Sequence, residues 1–388
     1  MFLPIRSYSL VILLVAVICA MPVPLLAQIN TDIVEQYRLD LQKQAQTMKR
    51  DDGTHPEDWA YTLPEGVTTR QVTFYVDGGT PLYGKIFFPR GFSARGKWPA
   101  VVVGHGNNAL AIGIEKYGAR FADRGLVAMA IDYRTYGFSG SAVSLLEPDT
   151  TSDERLVWEK TARVQLKRTD YNLVREVEDF RAAISFLQGE PGIDPDRIGI
   201  WGSSAGGAVV ASVAALDARV KAVVTQVSSQ AVLASLFPSP GVHPAALAPI
   251  PTAMQDDMIK RARTGQGAEV DGGFYRDGTA VFWGSFRSKM DMYSNQVNRE
   301  MRMGTRRLLE RIPETTKILS VLAEHDELTP EKSLQAASVF KGTWQEVTLP
   351  YVGHFQMYSG TAFEVGSTLA ADWFLKYLGT GAPGEKRN

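Results

Sequence analysis

An α/β fold, with a mostly parallel central sheet, helices on both faces and an inserted cap, is predicted by three observations. Apolar runs of strand length alternate with helix-periodic stretches through most of the chain, the rhythm that a parallel sheet with crossover helices requires. Runs such as Val101-Val102-Val103 and Ile198-Gly199-Ile200-Trp201 are continuous rather than alternating, as strands buried on both faces should be. The rhythm then stops between Ser228 and about Pro313, where Pro238, Pro240, Pro244, Pro249 and Pro251 precede a Gly-rich stretch, Gly265–Gly273.

Of the 388 residues, 45% are apolar and 21% charged, an ordinary globular balance. The net charge of −1 supplies no basic field for nucleic acid and no polybasic patch for a membrane surface, so neither partner is expected. Assembly state is not readable.

The first residues read as a targeting segment. Arg6 is its single charge, Leu10–Ala20 is apolar throughout, Pro22 and Pro24 break any helix, and Leu26-Ala27 offers a small residue for cleavage. The run is shorter than the ~20 residues that span a bilayer. Residues 1–27 are therefore expected to be a signal peptide, removed after Ala27, with a secreted or periplasmic product and no lasting membrane association. Cleavage removes Cys19, the one cysteine, so the mature chain has neither a disulfide nor a thiolate metal site.

Residues 28–70 read as a peripheral N-terminal arm in which Ile33, Tyr37, Leu41 and Ala45 fall at helical spacing. The core is expected over 71–227 and 314–388, with 228–313 as the cap insertion. Gln71–Asp77 and Leu82–Phe88 flank a Gly78-Gly79 turn and read as two antiparallel strands. Pro99–Gly104 is a buried strand, Ile112–Arg124 a helix and Leu126–Ile131 a strand. The charged stretch Asp153–Arg168 reads as roughly helical. Tyr171–Leu187 follows, with Leu173, Val177, Phe180, Ile184 and Leu187 on one face, and Pro191–Asp196 reads as a turn. Lys221–Gln226, Lys317–Ala323 and Trp344–Leu349 are strands; Tyr293–Arg311 is helix-compatible and Ala362–Leu378 an amphipathic helix. In the cap, Phe237, Phe274 and Trp283 are candidates for the pocket lining, with Tyr275, Phe282 and Met292 beside them; any one of them serves equally well as core of the cap itself.

Gly202-Ser203-Ser204-Ala205-Gly206 sits between the buried run Ile198–Trp201 and the helical stretch Ala208–Leu216. A G-x-S-x-G sequence at a strand-to-helix joint places its central Ser on a sharp turn with the hydroxyl exposed, while the helix N-terminus offers unpaired N–H groups and positive dipole. Ser204 is the candidate nucleophile. The pentapeptide alone is common, and its context gives it weight. Upstream, Gly104-His105-Gly106-Asn107 follows a strand and can supply an oxyanion-binding N–H, assigned to Asn107 with the Ala205 N–H as partner. Downstream, Asp326 stands at a strand tip before Pro330, with Glu324 and Glu327 as competitors for the acid. His354, preceded by Gly353 in the loop after the last strand, is the candidate base.

These residue types suit acyl transfer. A Ser hydroxyl becomes a competent nucleophile when an imidazole removes its proton, and a carboxylate fixes the imidazole tautomer and stabilises its cation. The other histidines read otherwise: His105 shapes its loop, His325 faces away, and His55 and His243 lie in loops. Asp132 is expected to pair with Arg134 or neighbouring loop groups.

With the order Ser204, Asp326, His354, the His105-Gly106 loop, Asp132-Tyr133-Arg134 and Gly202–Gly207, the chain resembles the α/β-hydrolase superfamily from about Val72 to Tyr377. Asp194-Pro195-Asp196-Arg197-Ile198 is similar to the turn before the elbow in the dienelactone hydrolase and acyl-peptidase-like branch. Dienelactone enzymes carry Cys where this chain has Ser204. The resemblance implies a serine hydrolase acting on a small-molecule ester or amide, with no metal or organic cofactor. An ester is the expected substrate; the alternatives are a serine exopeptidase or amidase and a non-catalytic binding protein on the same fold.

Overall fold

The structure, a computed structural model, describes residues 29–48, 56–76, 79–106, 109–140, 142–147, 161–167, 172–228, 310–326 and 340–381, together with short pieces between 256 and 291. The segment 1–27, most of the 228–313 insertion and residues 382–388 lie outside the described residues.

The arm forms two short helices, α1 (Asp32–Gln36) and α2 (Arg38–Thr47). The first sheet strands are β1 (Thr68–Val76), β2 (Thr80–Phe88) and β3 (Trp98–Gly104). Helix α3 (Ala111–Asp123) leads to β4 (Val127–Ile131). A separate antiparallel ribbon joins β5 (Ala142–Leu145) to β6 (Val164–Lys167). Then follow α4 (Leu173–Gly189), β7 (Ile193–Ser203), α5 (Ala205–Leu216) and β8 (Val220–Gln226). In the insertion, β9 (Glu269–Asp271) pairs with β10 (Lys289–Asp291). The core resumes with β11 (Lys317–Ala323), β12 (Thr343–Leu349) and α6 (Gly360–Leu378).

Eight strands form one sheet in the order β1-β2-β4-β3-β7-β8-β11-β12. The β1–β2 and β2–β4 pairs are antiparallel and every later pair is parallel. Strand alternation sorts the core into two layers. Val101, Val103, Ala128, Trp201, Val224 and Leu319 face α3 and α6, whereas Val102, Met129, Ile200 and Val223 face α4 and α5. Because β3 is followed by a helix on one face and β7 by a helix on the other, their carboxyl ends form the topological switch point, the place where open α/β sheets bind ligands.

Four readings change. The arm is not peripheral: Leu41 is fully buried, Val34 and Ile29 join the α3/α6 layer, and Ile29 donates its N–H to Gln345 Oε1 on the edge strand β12 (3.1 Å). The end of the stretch expected to be helical, Val164–Lys167, is a strand, since its alternate residues Val164 and Leu166 pair with Leu145 and Val143 across the ribbon. The expected turn at Pro191–Asp196 is mostly absorbed into β7, where Ile193 pairs with Trp98 before a register shift. The insertion, read without strands, carries the β9–β10 pair; its helix-compatible end, Tyr293–Arg311, lies almost wholly outside the described residues.

Candidate active site

The β7–α5 joint is built by backbone crowding. A Cβ on Gly202 would collide with the Gly206 carbonyl, and one on Gly206 with the His105 carbonyl, so the elbow and the β3 loop pack backbone to backbone. Ser204 takes φ 55° and ψ −123°, a strained conformation for a residue with a side chain. It is held there from both sides: its N–H donates to the Gln226 carbonyl (2.9 Å) and its carbonyl accepts from the Gly207 N–H (3.0 Å). Ser204 remains partly exposed although its neighbours in β7 and α5 are buried.

Ala205 opens α5, where first-turn N–H groups lack intrahelical acceptors. Asn107 lies outside the described residues. Gly106, just before it, abuts the elbow so closely that a Cβ there would stand 3.0 Å from the Ser204 Cβ. The described part of the β3 loop therefore runs alongside Ser204.

Asp326 follows β11 and His354 follows β12, on the sheet edge where β7 ends in Ser203. His354 Nδ1 lies 3.0 Å from both carboxylate oxygens of Asp326, and both side chains are buried. A ring nitrogen in that position donates its proton to the carboxylate, and in the neutral imidazole Nε2 then carries the lone pair. Of the competing acids, Glu324 is turned to accept the Tyr351 N–H (2.7 Å) and Glu327 lies outside the described residues. His325 is exposed and donates its backbone N–H to Val352.

His105 is buried. Its Nδ1 lies 2.8 Å from the Gly106 carbonyl, its Nε2 accepts from the Tyr133 N–H (3.4 Å), and Tyr133 and Tyr136 flank its ring. Burial lowers its pKa from 6.5 to about 4, so it stays neutral and shapes the loop as its position suggested. Asp132 is likewise structural. It accepts the Ala111 N–H (2.7 Å) and the Phe138 N–H (3.0 Å), while Arg134 pairs with the fully buried Asp179 (2.6 Å). The Arg134–Asp179 pair was not legible, since a helix residue 45 positions away leaves no local pattern.

Two further residues reach the site unannounced. The Tyr358 hydroxyl lies 2.6 Å from Ser203 Oγ, and its ring is 6.3 Å from the imidazole of His354. Ser203 Oγ also donates to the Gln226 carbonyl (3.2 Å). The aromatic candidates Phe237, Phe274, Tyr275, Phe282 and Trp283, with Met292 and the histidines His55 and His243, fall outside the described residues.

The mostly parallel sheet, the strained serine at a strand-to-helix elbow and the buried His–Asp pair on one sheet edge are features of one class, hydrolases of α/β architecture. The family model described as the alpha/beta hydrolase family matches residues 87–364, and the chain belongs to that family.

Curated relatives are more distant. A thiohydrolase, aneE, of Aspergillus aculeatus is 27% identical over 162 residues, 42% of each chain. The quorum-quenching protein AidA of Acinetobacter baumannii is 29% identical over 130 residues, 33% of this chain and 34% of its own. The matched regions thus span well under half of these relatives. Among solved structures, that of DcsB in complex with its substrate analogue superposes with a TM-score of 0.60 at 19% identity, covering 80% of this chain and all of the other, a likeness of fold.

Proposed function

We propose that this protein is a serine hydrolase that cleaves a carboxylic ester through an acyl-enzyme. In this reading Ser204 Oγ attacks the acyl carbonyl as His354 Nε2 takes its proton. The carbonyl π electrons move onto oxygen, where the N–H groups of Ala205 and Asn107 receive the charge. Collapse of the tetrahedral intermediate breaks the bond to the leaving group, which takes the proton from His354. Water, deprotonated by the same imidazole, then releases the acid and restores Ser204. Asp326 holds the imidazole by Nδ1–H and stabilises its cation.

One observation carries the proposal: Ser204 at φ 55° shares a sheet edge with the 3.0 Å His354–Asp326 pair. The name of the thiohydrolase relative adds a thioester to the substrates worth testing, because the same steps cleave a C–S bond at the acyl carbon. We assign the pocket lining to the 228–313 insertion, with Phe237, Phe274 and Trp283 as its aromatic contacts.

The test is a fluorophosphonate label followed by a substrate panel. Labelling of the wild type and not of Ser204→Ala is the expected result; equal labelling of both removes Ser204 from the reaction. Turnover of p-nitrophenyl esters or acyl thioesters above aminoacyl anilides supports the ester reading, and the reverse order makes the protein an amidase.

Export is part of the proposal. Protein recovered from a periplasmic or culture fraction should begin at Gln28, and material beginning at Met1 would count against a cleaved signal.

A further inference from the structure

We infer that the N-terminal arm is a positioning element for His354, acting through a two-glutamine relay from Gln44 to Gln356. This rests on the role just proposed for His354.

The turn carrying His354 has little regular structure of its own. It runs from Gly353 through one 3₁₀ turn, Phe355–Tyr358, to the start of α6 at Gly360. Its geometry must come from side chains that reach in, and the arm supplies them. Gln44, buried on α2, donates through Nε2 to the carbonyls of Gln356 (2.9 Å) and Ser359 (3.2 Å), and its Oε1 accepts from the Ala362 N–H (2.9 Å). One amide thereby fixes three backbone groups, one inside the 3₁₀ turn and two just after it, across 312 to 318 residues of sequence. Gln356 continues the path. Its Oε1 accepts from the N–H of Gly353, the residue before His354 (2.9 Å), and its Nε2 donates to the Met48 carbonyl at the end of the arm (3.1 Å).

The same end of the turn is also held from α3. Lys116 Nζ donates to the Tyr358 carbonyl and to the Asp58 carbonyl. Residues 353–359 are thus clamped between an arm that precedes the sheet and a helix beneath it. An amide suits this place because it offers donor and acceptor together with no charge to desolvate.

A mere packing role would affect stability alone. A positioning role changes the chemical step, because a catalytic group displaced by about 1 Å can cost on the order of a hundredfold in rate. The experiment compares Gln44→Met, which keeps the volume and loses both hydrogen-bonding ends, with Leu41→Ala, which weakens the same helix and removes no side-chain hydrogen bond. Turnover of p-nitrophenyl acetate is divided by the fraction of molecules that a fluorophosphonate labels, so that misfolded protein does not count. In parallel, proton NMR follows the exchange rate of the His354 Nδ1–H bonded to Asp326.

For Gln44→Met we expect kcat per labelled molecule to fall about tenfold or more, with KM within about twofold, and the imidazole proton to exchange correspondingly faster. Leu41→Ala should lose thermal stability and keep both values. Gln44→Glu, which retains the acceptor for Ala362 and loses the donor to the turn, should follow Gln44→Met and serves if the latter does not fold. Wild-type turnover per labelled molecule and an unchanged exchange rate in the glutamine variants would overturn the relay. Retained turnover in Ser204→Ala would overturn the Ser204 acyl-enzyme reading instead, and the NMR readout would still decide the role of the arm.

Discussion

The hydroxyls of Tyr358 and Ser203 lie 2.6 Å apart, which ties the turn after His354 to the last residue of β7. Ser203 precedes Ser204, and Tyr358 follows His354 by four residues. Burial pushes the Tyr358 hydroxyl well above its ordinary pKa, so it remains a neutral donor across any working pH. Tyr358→Phe should cost about 1 kcal/mol of stability, the net value of one hydrogen bond, since Ser203 Oγ keeps its bond to Gln226. Denaturant titration measures this, and a loss above ~3 kcal/mol would mean that the pair does more than tether.

Asp326→Asn retains the shape of the carboxylate and removes its charge. The amide can present its NH₂ to Nδ1 and stabilise the wrong tautomer. Ester turnover should fall by a factor on the order of 10⁴, whereas Glu324→Gln should stay within a few-fold of wild type. Similar losses in both variants would leave the acid unassigned between them.

Gly206→Ala places a methyl group against the His105 carbonyl, where backbone cannot yield cheaply. The elbow and the β3 loop must separate, which moves Ser204 away from Gly106. The expected outcome is loss of fluorophosphonate labelling with the far-UV circular dichroism of the sheet retained. Full labelling would show that the joint tolerates the opening.

His105 sets a pH dependence of stability. Its folded pKa of about 4 lies below the unfolded value of 6.5, so between these limits the unfolded chain binds more protons. Stability must then fall as pH drops from 6.5 towards 4, by roughly 3 kcal/mol once both limits are passed. His105→Gln, an uncharged replacement, should flatten that part of the curve. An unchanged slope in the variant would assign the acid lability to other groups.

Breaking the buried Arg134–Asp179 pair by Asp179→Ala should cost about 3–5 kcal/mol, because it removes a buried carboxylate that accepts from both the backbone N–H and the Nε of Arg134. Thermal unfolding checks it; a shift of under ~1 kcal/mol would mean that other groups around Arg134 compensate for the lost carboxylate.

The sheet was legible because burial on both faces leaves an unmistakable trace: Val101-Val102-Val103 and Ile198–Trp201 read as strands directly, and Lys317–Ala323 was placed to the residue. The elbow was legible because Gly202 and Gly206 are demanded by backbone contact. That Asp326 and His354 would come together was legible from their places after strands. What failed lacks periodicity. The β5–β6 ribbon exposes Val143, Leu145, Val164 and Leu166, so no burial pattern distinguishes its second strand from the charged stretch before it. The contacts of Gln44, Gln356 and Tyr358 are polar pairings made largely with groups far away in sequence, and such residues look like surface in any sequence window.

The clamp between α2 and the His354 turn also bears on when the molecule can first work. Its two halves are separated by 312 to 318 residues of sequence, so a ribosome must have made the start of α6 before they can meet. Closing so distant a contact comes late in folding as well as in synthesis. On the mechanism proposed above, a nascent or truncated product that stops short of α6 would hold the elbow serine and lack the seat for His354, and would stay inert until α6 docks.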